Sequence, residues 1–125
     1  KKYFNYQKSN LSLIIQIEDI ATIDKIDTIF KSKLIDGFII GPYDLSCSMG
    51  IPGRFNDKKY KKAVKKLLEA SIVYKVPAGI HVINPDNSEV NQRIKEGFKI
   101  IGYGLDFTMI KKALEGFFLK WNQLL

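Results

Sequence analysis

Short apolar segments alternate four times along the chain with longer segments in which apolar residues recur at helical spacing. The short segments are rich in β-branched residues, which predicts strands. They cover residues 11–17, 37–41, 77–83 and 98–103. The longer segments repeat their apolar residues every three or four positions, which predicts amphipathic helices. They cover residues 20–34 and 58–75, then a segment from the helix-start cluster at 85–88 to Gly97, and last a helix with apolar residues from Ile110 to Leu124.

This alternation predicts parallel βαβ units in one α/β unit without an internal linker. Two architectures fit four such units. One is half of a closed (β/α)8 barrel, which needs eight strands and about 250 residues when complete. The other is an open doubly wound sheet with helices on both faces. Half a barrel would leave two unpaired strand edges, and such edges favour association.

Composition narrows the class of protein. The 125 residues are 46% hydrophobic and 26% charged, as in ordinary globular proteins. No apolar run approaches the roughly 20 residues of a membrane-spanning helix, and the single Cys47 fits a reducing cytoplasm. The net charge of +7 comes mainly from lysines. The lysine run at 58–66 contains no Arg, so it does not indicate a nucleic-acid site. It predicts a solvated helix face, with a surface for an acidic partner as the alternative.

Polar residues cluster where the predicted strands end. Gln16 and Glu18 close the first strand, Asp44 follows the second, and His81 lies in the third. Tyr103 ends the fourth strand, and Gly104 and Asp106 follow it. Active sites of parallel α/β proteins gather at these strand ends. Carboxylates from two neighbouring strand ends can share Mg²⁺ or Mn²⁺, and Glu18 with Asp44 is such a pair. Alternatively, Glu18 is a favourable acid at a helix start and Asp44 caps a turn.

Several segments, in order along the chain, resemble the class II pyruvate aldolases, the 4-hydroxy-2-oxoheptanedioate aldolase family within the citrate lyase β-chain superfamily. The segments are Leu13–Glu18, Asp36–Ser46 with its continuation Ser48–Gly53, Ala78–Val82 and Glu96–Asp106. They resemble the fifth to eighth strands of the family's TIM barrel. The resemblance therefore implies that residues 1–125 form the C-terminal half of a TIM-barrel aldolase domain. The chain begins with Lys1, and we expect it to be part of a longer protein.

The resemblance also implies roles for residues that match the family's motifs. Glu18 and Asp44 match its two metal carboxylates, and Gln16 matches the glutamine beside the metal. Gly41, Pro42, Tyr43 and Asp44 match the turn whose backbone N–H groups hold the pyruvate carboxylate, although Pro42 has no N–H to donate. We expect Ser46 to be a neighbour of this turn in the substrate site. The implied cofactor is Mg²⁺ or Mn²⁺, with Co²⁺ as a further alternative.

The implied reaction cleaves a 2-keto-4-hydroxy acid into pyruvate and an aldehyde without a Schiff base. The family's catalytic histidine and its keto-binding arginine lie in its first half, so we expect no catalytic residue in this chain. His81 is expected to be a hydrogen-bonded strand residue, and Cys47 a small loop side chain. Arg54 is expected on a loop surface, and Asp106 as the cap of the last helix.

Two other functions stay open at this point. One is an acyl-CoA lyase of the citrate or malyl-CoA type, and the other is a non-catalytic half-barrel that only associates. The loops at 41–44 and 50–53 resemble the aldolases more closely. Members of the resembled family exchange their last helices between subunits. We therefore expect a homo-oligomer, or docking on a missing N-terminal half-barrel, with Trp121 buried at or near the contact, and neither nucleic acid nor membrane as a partner.

Overall fold

The computed structural model describes residues 2–122, without the side chains of Phe4, Lys8, Ser9 and residues 118–122. The expected burial of Trp121 concerns one of the side chains outside this description. Seven helices and four strands make up the described part. The helices are α1 (Lys2–Asn10), α2 (Ile20–Asp24), α3 (Ile26–Lys31), α4 (Pro42–Ser48), α5 (Lys58–Tyr74), α6 (Asn87–Glu96) and α7 (Asp106–Asn122). The strands are β1 (Ile14–Ile17), β2 (Gly37–Ile40), β3 (Ala78–Val82) and β4 (Ile100–Tyr103).

The four strands form one parallel sheet in which each strand pairs with the next one along the chain. The register places Gln16 beside Ile39, and His81 beside Gly102. Crossovers between parallel strands are right-handed, so crossovers that all advance in one direction place their helices on the same face. A doubly wound sheet reverses its strand order and carries helices on both faces. The observed order therefore supports the half-barrel and not the doubly wound alternative.

The helices cover one face of this sheet with an apolar core. Every second residue of the strands and one stripe of residues on each covering helix point into this core. The core includes Ile17, Phe38, Ile40, Ala78 and Ile80 from the strands, and Ile23, Ile26, Phe30, Tyr60, Val64 and Leu67 from the helices. The sequence predicts a stripe along α5 of Tyr60, Val64, Leu67, Leu68 and Ile72. It is confirmed except at Ile72, which is 79% exposed.

The opposite face is lined by glycines over which neighbouring side chains lean. A Cβ built on Gly37 would lie 3.2 Å from the Cδ1 of Ile100 and 3.8 Å from the Cγ1 of Ile14. Ile14 belongs to β1 and Ile100 to β4, so side chains from both edges of the sheet converge over β2. This convergence indicates a sheet that curves with this face inward, as the interior face of a barrel does.

Three predicted elements differ from the structure. The predicted strand at 11–17 is confirmed only from Ile14 onward, and Ile14 is 50% exposed because β1 is an edge strand. The predicted helix at 20–34 is divided into α2 and α3 at Lys25, whose backbone (φ −102°, ψ 7°) is not helical. The predicted strand at 37–41 and helix at 58–75 leave a long loop between them, but this segment begins with α4, since Pro42 at the first helical position is preorganised for a helix.

The helices show two further differences from the prediction and two confirmations. The N-terminal helix α1 had no counterpart among the predicted elements. Asp106 is the first residue of α7 and not the residue before it, and its carboxylate accepts from the N–H of Phe107. The start predicted for α6 is confirmed, because Asp86 caps it by accepting from the N–H of Ser88. Gly97 ends that helix with a left-handed backbone, as predicted. Among the described residues, no helix combines the length and hydrophobicity needed to cross a membrane.

Candidate active site

A small cavity opens at the carboxyl ends of β1, β2 and β3. Its volume is about 90 Å³, and residues of all three strand ends line it. The lining residues are Gln16, Ile39, Ile40, Gly41, Pro42, Tyr43, Asp44, His81 and Ile83. The fold thus brings Gln16 and Asp44, predicted from separate segments, to one place.

Gly41 creates the space in which Gln16 and Asp44 meet. A Cβ at this position would lie 2.9 Å from the Nε2 of Gln16 and 3.3 Å from the Oδ2 of Asp44. The backbone φ of Gly41 is −87°, a value that any residue adopts. The position therefore favours glycine for its lack of a side chain and not for its backbone conformation.

Glu18 is joined to this pair through Gln16. The Nε2 of Gln16 donates to the Oε2 of Glu18 at 2.7 Å. Gln16 therefore contacts the Glu18 carboxylate directly, and its amide lies beside the same Gly41 space that the Asp44 carboxylate borders. Gln16 is thus the residue that links the Glu18 carboxylate to the space that Asp44 borders.

This set of groups fits a hard divalent cation. Carboxylate and amide oxygens are the protein ligands that Mg²⁺ and Mn²⁺ prefer, and Mg²⁺ usually keeps several positions for water and substrate. Within residues 2–122, no three His, Cys, Asp or Glu side chains gather as a metal-binding group. Of the two predicted carboxylates, Asp44 lines the cavity, whereas Glu18 does not line it and reaches it only through its bond with Gln16.

The turn after β2 is the N-terminus of α4. Gly41 precedes the helix and Pro42 is its first residue. The first N–H groups of a helix have no acceptor within that helix, and they favour anions. Because Pro42 has no N–H, the donors of this turn that face the helix start are those of Tyr43 and Asp44.

Ser46 lies behind this turn and not in the cavity. Its side chain is fully buried. Its hydroxyl donates to the carbonyl oxygen of Tyr43 at 2.8 Å and accepts from the N–H of Gly53 at 2.9 Å. Both partners are backbone atoms, so Ser46 ties the loop at 50–53 to the turn. Ser46 is thus a neighbour of the turn, as expected, and supports it from behind, while a part in substrate binding stays a prediction.

His81 lines the cavity and is hydrogen-bonded, as expected. Its Nε2 lies 3.0 Å from the carbonyl oxygen of Gly104. Because a carbonyl oxygen only accepts, Nε2 carries the hydrogen in this pair. A Cβ on Gly102 would lie 3.1 Å from the Cδ2 of His81, so the ring packs across β4 where that strand has no side chain.

A second cavity of about 150 Å³ adjoins the first and shares Tyr43 and His81 with it. Tyr43, Phe55 and Tyr60 form successive aromatic contacts along it, with ring centroids 5.0 and 5.4 Å apart. Burial raises the pKa of Tyr60 to about 12. Arg93 also lines this cavity, and sequence reasoning assigned it no role.

The two arginines are held by carboxylates. Arg93 is bonded to Glu89 at 2.9 Å and to Glu96 at 3.0 Å. Burial acts to lower the pKa of Arg93, but the hydrogen bonds that its guanidinium donates to these two carboxylates, together with their negative charge, outweigh burial and raise the pKa. Arg54 pairs with Asp57 at 3.2 Å on the loop surface, as expected. Cys47 is exposed, but it belongs to α4 and not to a loop.

Comparison with known proteins places this site in a family. Residues 2–113 match the sequence model of the HpcH/HpaI aldolase/citrate lyase family. The chain belongs to this family. This membership confirms the resemblance found in the strand-end motifs. The matched residues include the strands and helices that form the site.

Curated relatives of this HpcH/HpaI family chain are longer proteins. A 5-keto-4-deoxy-D-glucarate aldolase of Enterobacter sp. (strain 638) is 25% identical over 113 residues, which are 90% of this chain and 43% of that protein. The protein of the same name from Escherichia coli (strain K12 / DH10B) is 24% identical with the same coverage. The chain therefore spans less than half the length of these relatives.

Solved structures agree with the fold. An HpcH/HpaI aldolase/citrate lyase family protein from Burkholderia cenocepacia J2315 matches with a TM-score of 0.90 at 21% identity, over 98% of this chain and 47% of that one. An HpcH/HpaI aldolase from Desulfitobacterium hafniense DCB-2 matches with a TM-score of 0.82 at 20% identity, over 95% and 46%. The parallel four-stranded sheet with alternating helices thus corresponds to about half of the family's TIM-barrel fold.

Proposed function

We propose that this chain is the metal-binding half of a carbon–carbon lyase that cleaves a 2-keto-4-hydroxy acid into pyruvate and an aldehyde. Family membership and the aldolase names of the relatives support a lyase. The observation that carries the proposal is the meeting of Gln16 and Asp44 over Gly41, with Glu18 bonded to Gln16. This arrangement supplies one carboxylate that lines a small cavity, Asp44, and a second at the neighbouring strand end, Glu18, that is bonded to a residue lining it.

Each residue of the proposed site has a separate task. The carboxylates of Glu18 and Asp44 would hold Mg²⁺, Mn²⁺ or Co²⁺, and Gln16 would orient Glu18 through its amide. The N–H groups of Tyr43 and Asp44 would orient the substrate carboxylate at the start of α4. When bound, the cation would supply Lewis-acid polarisation of the substrate's keto group.

The proposal places the proton-transfer group and the keto-binding arginine outside this chain. Both arginines here are paired with carboxylates, Arg54 with Asp57 and Arg93 with Glu89 and Glu96. The ring nitrogen Nε2 of His81 is bonded to a backbone carbonyl. These pairings support a site completed by a further half-barrel.

Loss of either carboxylate tests the metal site. We expect Glu18→Gln and Asp44→Asn each to raise the dissociation constant for Mn²⁺ by about 100-fold or more, because a neutral amide loses a ligand charge. This exceeds the 10–100-fold loss typical when a group behind the ligands is removed. Isothermal calorimetry and the electron paramagnetic resonance signal of free Mn²⁺ would measure the affinities.

Two carboxylates far from the cavity provide matched controls. Glu69→Gln removes an exposed charge from α5, and Asp27→Asn removes one from the first turn of α3. Both variants should bind Mn²⁺ like the unmodified chain. A folded Glu18→Gln/Asp44→Asn double variant that binds Mn²⁺ with unchanged affinity would contradict the proposed metal site.

A further inference from the structure

We propose that the hydroxyl of Ser48 is a positioning group that sets the distance between Glu18 and Asp44. The inference deepens the proposed function, since it concerns the same two carboxylates. Ser48 is the last residue of α4, and Asp44 lies in the first turn of that helix. Ser48 does not line the cavity between the strand ends, and sequence reasoning gave it no role.

Ser48 joins two segments that are far apart in the sequence. Its hydroxyl donates to the carbonyl oxygen of Leu45 at 2.9 Å and accepts from the N–H of Ile20 at 3.0 Å. Ile20 is the first residue of α2, so its N–H has no acceptor within that helix. One side-chain oxygen thus connects the end of α4 to the beginning of α2.

A second bond reaches the same segment on the other side of Glu18. The N–H of Gly41 donates to the carbonyl oxygen of Ile17 at 3.3 Å. Glu18 therefore lies between two backbone positions, Ile17 and Ile20, that are both bonded to residues 41–48. Asp44 belongs to this segment, so the two bonds together limit how far one carboxylate can move from the other.

The neighbouring acid cannot replace Glu18 in this arrangement. The carboxylate of Asp19 caps α2 by accepting from the N–H of Ala21 at 2.8 Å. The Asp19 carboxylate is therefore held at the start of α2, whereas the Glu18 carboxylate accepts from Gln16. Loss of the bond between the Ile20 N–H and the Ser48 hydroxyl would free the backbone between Glu18 and α2. The Asp19 cap would stay in place.

The test compares Mn²⁺ binding in serine variants of the 125-residue chain. We expect Ser48→Ala to raise the Mn²⁺ dissociation constant by about tenfold, the lower end of the range for groups hydrogen-bonded to metal ligands, because Ser48 acts on Glu18 through the Ile20 backbone. Ser48→Thr keeps the hydroxyl and should retain the affinity. If Ser48→Ala fails to fold, Ser48→Cys keeps the size of the side chain with a much weaker hydrogen-bonding group and should show the same loss.

Ser32 offers a matched control. Its hydroxyl also donates to a carbonyl three residues earlier, that of Ile29, and accepts from a backbone N–H, that of Leu34. It lies between α3 and β2, away from the cavity, so Ser32→Ala should bind Mn²⁺ like the unmodified chain. Hydrogen exchange provides a readout without metal: the Ile20 amide should exchange faster in Ser48→Ala than in Ser48→Thr.

The outcomes separate this inference from the proposed function. An unmodified chain that binds no Mn²⁺ would refute the proposed metal site, and this inference with it. Mn²⁺ binding by the unmodified chain with equal affinity in folded Ser48→Ala would overturn the role of Ser48 alone. Unchanged exchange of the Ile20 amide in that variant would also overturn it.

Discussion

Among single residues, Gly41 matters most to the geometry of the site, because it has no side chain. Gly41 has an ordinary backbone conformation, yet a Cβ there would meet the ends of both Gln16 and Asp44. The two polar groups therefore share the volume that a methyl group would fill. We therefore expect Gly41 to be a sensitive position for binding at the proposed metal site and a tolerant one for folding.

We expect Gly41→Ala to weaken Mn²⁺ binding by about tenfold or more while changing stability little. The added Cβ would lie 2.9 Å from the Gln16 Nε2, which can move aside because it ends a flexible side chain. That movement would disturb the bond from Gln16 to Glu18. Calorimetry would measure the Mn²⁺ affinity, and urea unfolding would measure stability.

Gly116 is the matched control for this substitution. It lies in α7, and a Cβ there would meet nothing within 4 Å. Gly116→Ala should leave Mn²⁺ binding unchanged. Equal Mn²⁺ affinity in Gly41→Ala and the unmodified chain would show that the space over Gly41 is not part of the metal site.

The sequence located some of these residues and missed others for a physical reason. Gln16, Glu18 and Asp44 could be named because polar residues at the ends of apolar strands are visible along the chain. The bond between Ser48 and Ile20 spans 28 residues, and no local pattern marks it. The burial of Ser46 depends in the same way on the loop at Gly53, which folds back onto α4.

At the scale of elements, the order of strands and helices followed from hydrophobic spacing, while their ends did not. The βα alternation is confirmed in all four units. Spacing alone could not show that Lys25 interrupts the stripe at 20–34, because the apolar residues of α2 and α3 keep their spacing across the break. The helix α4 was missed because Gly41 and Pro42 are equally typical of a turn.

Strand β3 lies between β2 and β4 and contains the least tolerant glycine of the sheet. A Cβ on Gly79 would lie 2.8 Å from the carbonyl oxygen of Phe38 and 3.0 Å from the Cβ of Ile100. The first of these atoms is backbone of a paired strand and cannot turn aside. We expect Gly79→Ala to lower the free energy of unfolding by about 1–3 kcal/mol, as overpacking usually does.

Urea unfolding followed by circular dichroism would measure this loss. Gly116→Ala again provides the comparison, since alanine in an open helix position should keep or slightly raise stability. A Gly79→Ala chain as stable as the unmodified one would mean that β3 is not packed as closely between its neighbours as the structure shows.

The whole molecule is an open half of a closed architecture. Its sheet has two edges, β1 and β4, and a concave face on which Ile14 and Ile100 lean over Gly37. The solved relatives are about twice as long as the part that this chain matches. The sequence could predict these open edges, because four strands are too few to close a barrel.

Apolar side chains remain exposed at and beyond these edges. They include Leu11, Leu13 and Ile14 near β1, and Phe107, Ile110 and Leu114 on α7. Burial of apolar surface contributes about 25 cal/mol per Å², so covering several hundred Å² would contribute on the order of 10 kcal/mol. This free energy favours closure of the sheet by a second copy or by another half-barrel.

We therefore expect the 125-residue chain to form dimers or larger assemblies at micromolar concentration. Ile14→Lys places a charge on the concave face at an open edge and should shift the population toward monomer, because a lysine in that interface would lose its hydration. Ile72→Lys is the matched control, since Ile72 is also exposed but lies on α5, on the covered side of the sheet. Sedimentation velocity would measure the species, with circular dichroism confirming that both variants are folded. A compact monomer of the unmodified chain at that concentration would contradict the prediction. It would mean that burial of the exposed edge does not contribute enough free energy for association.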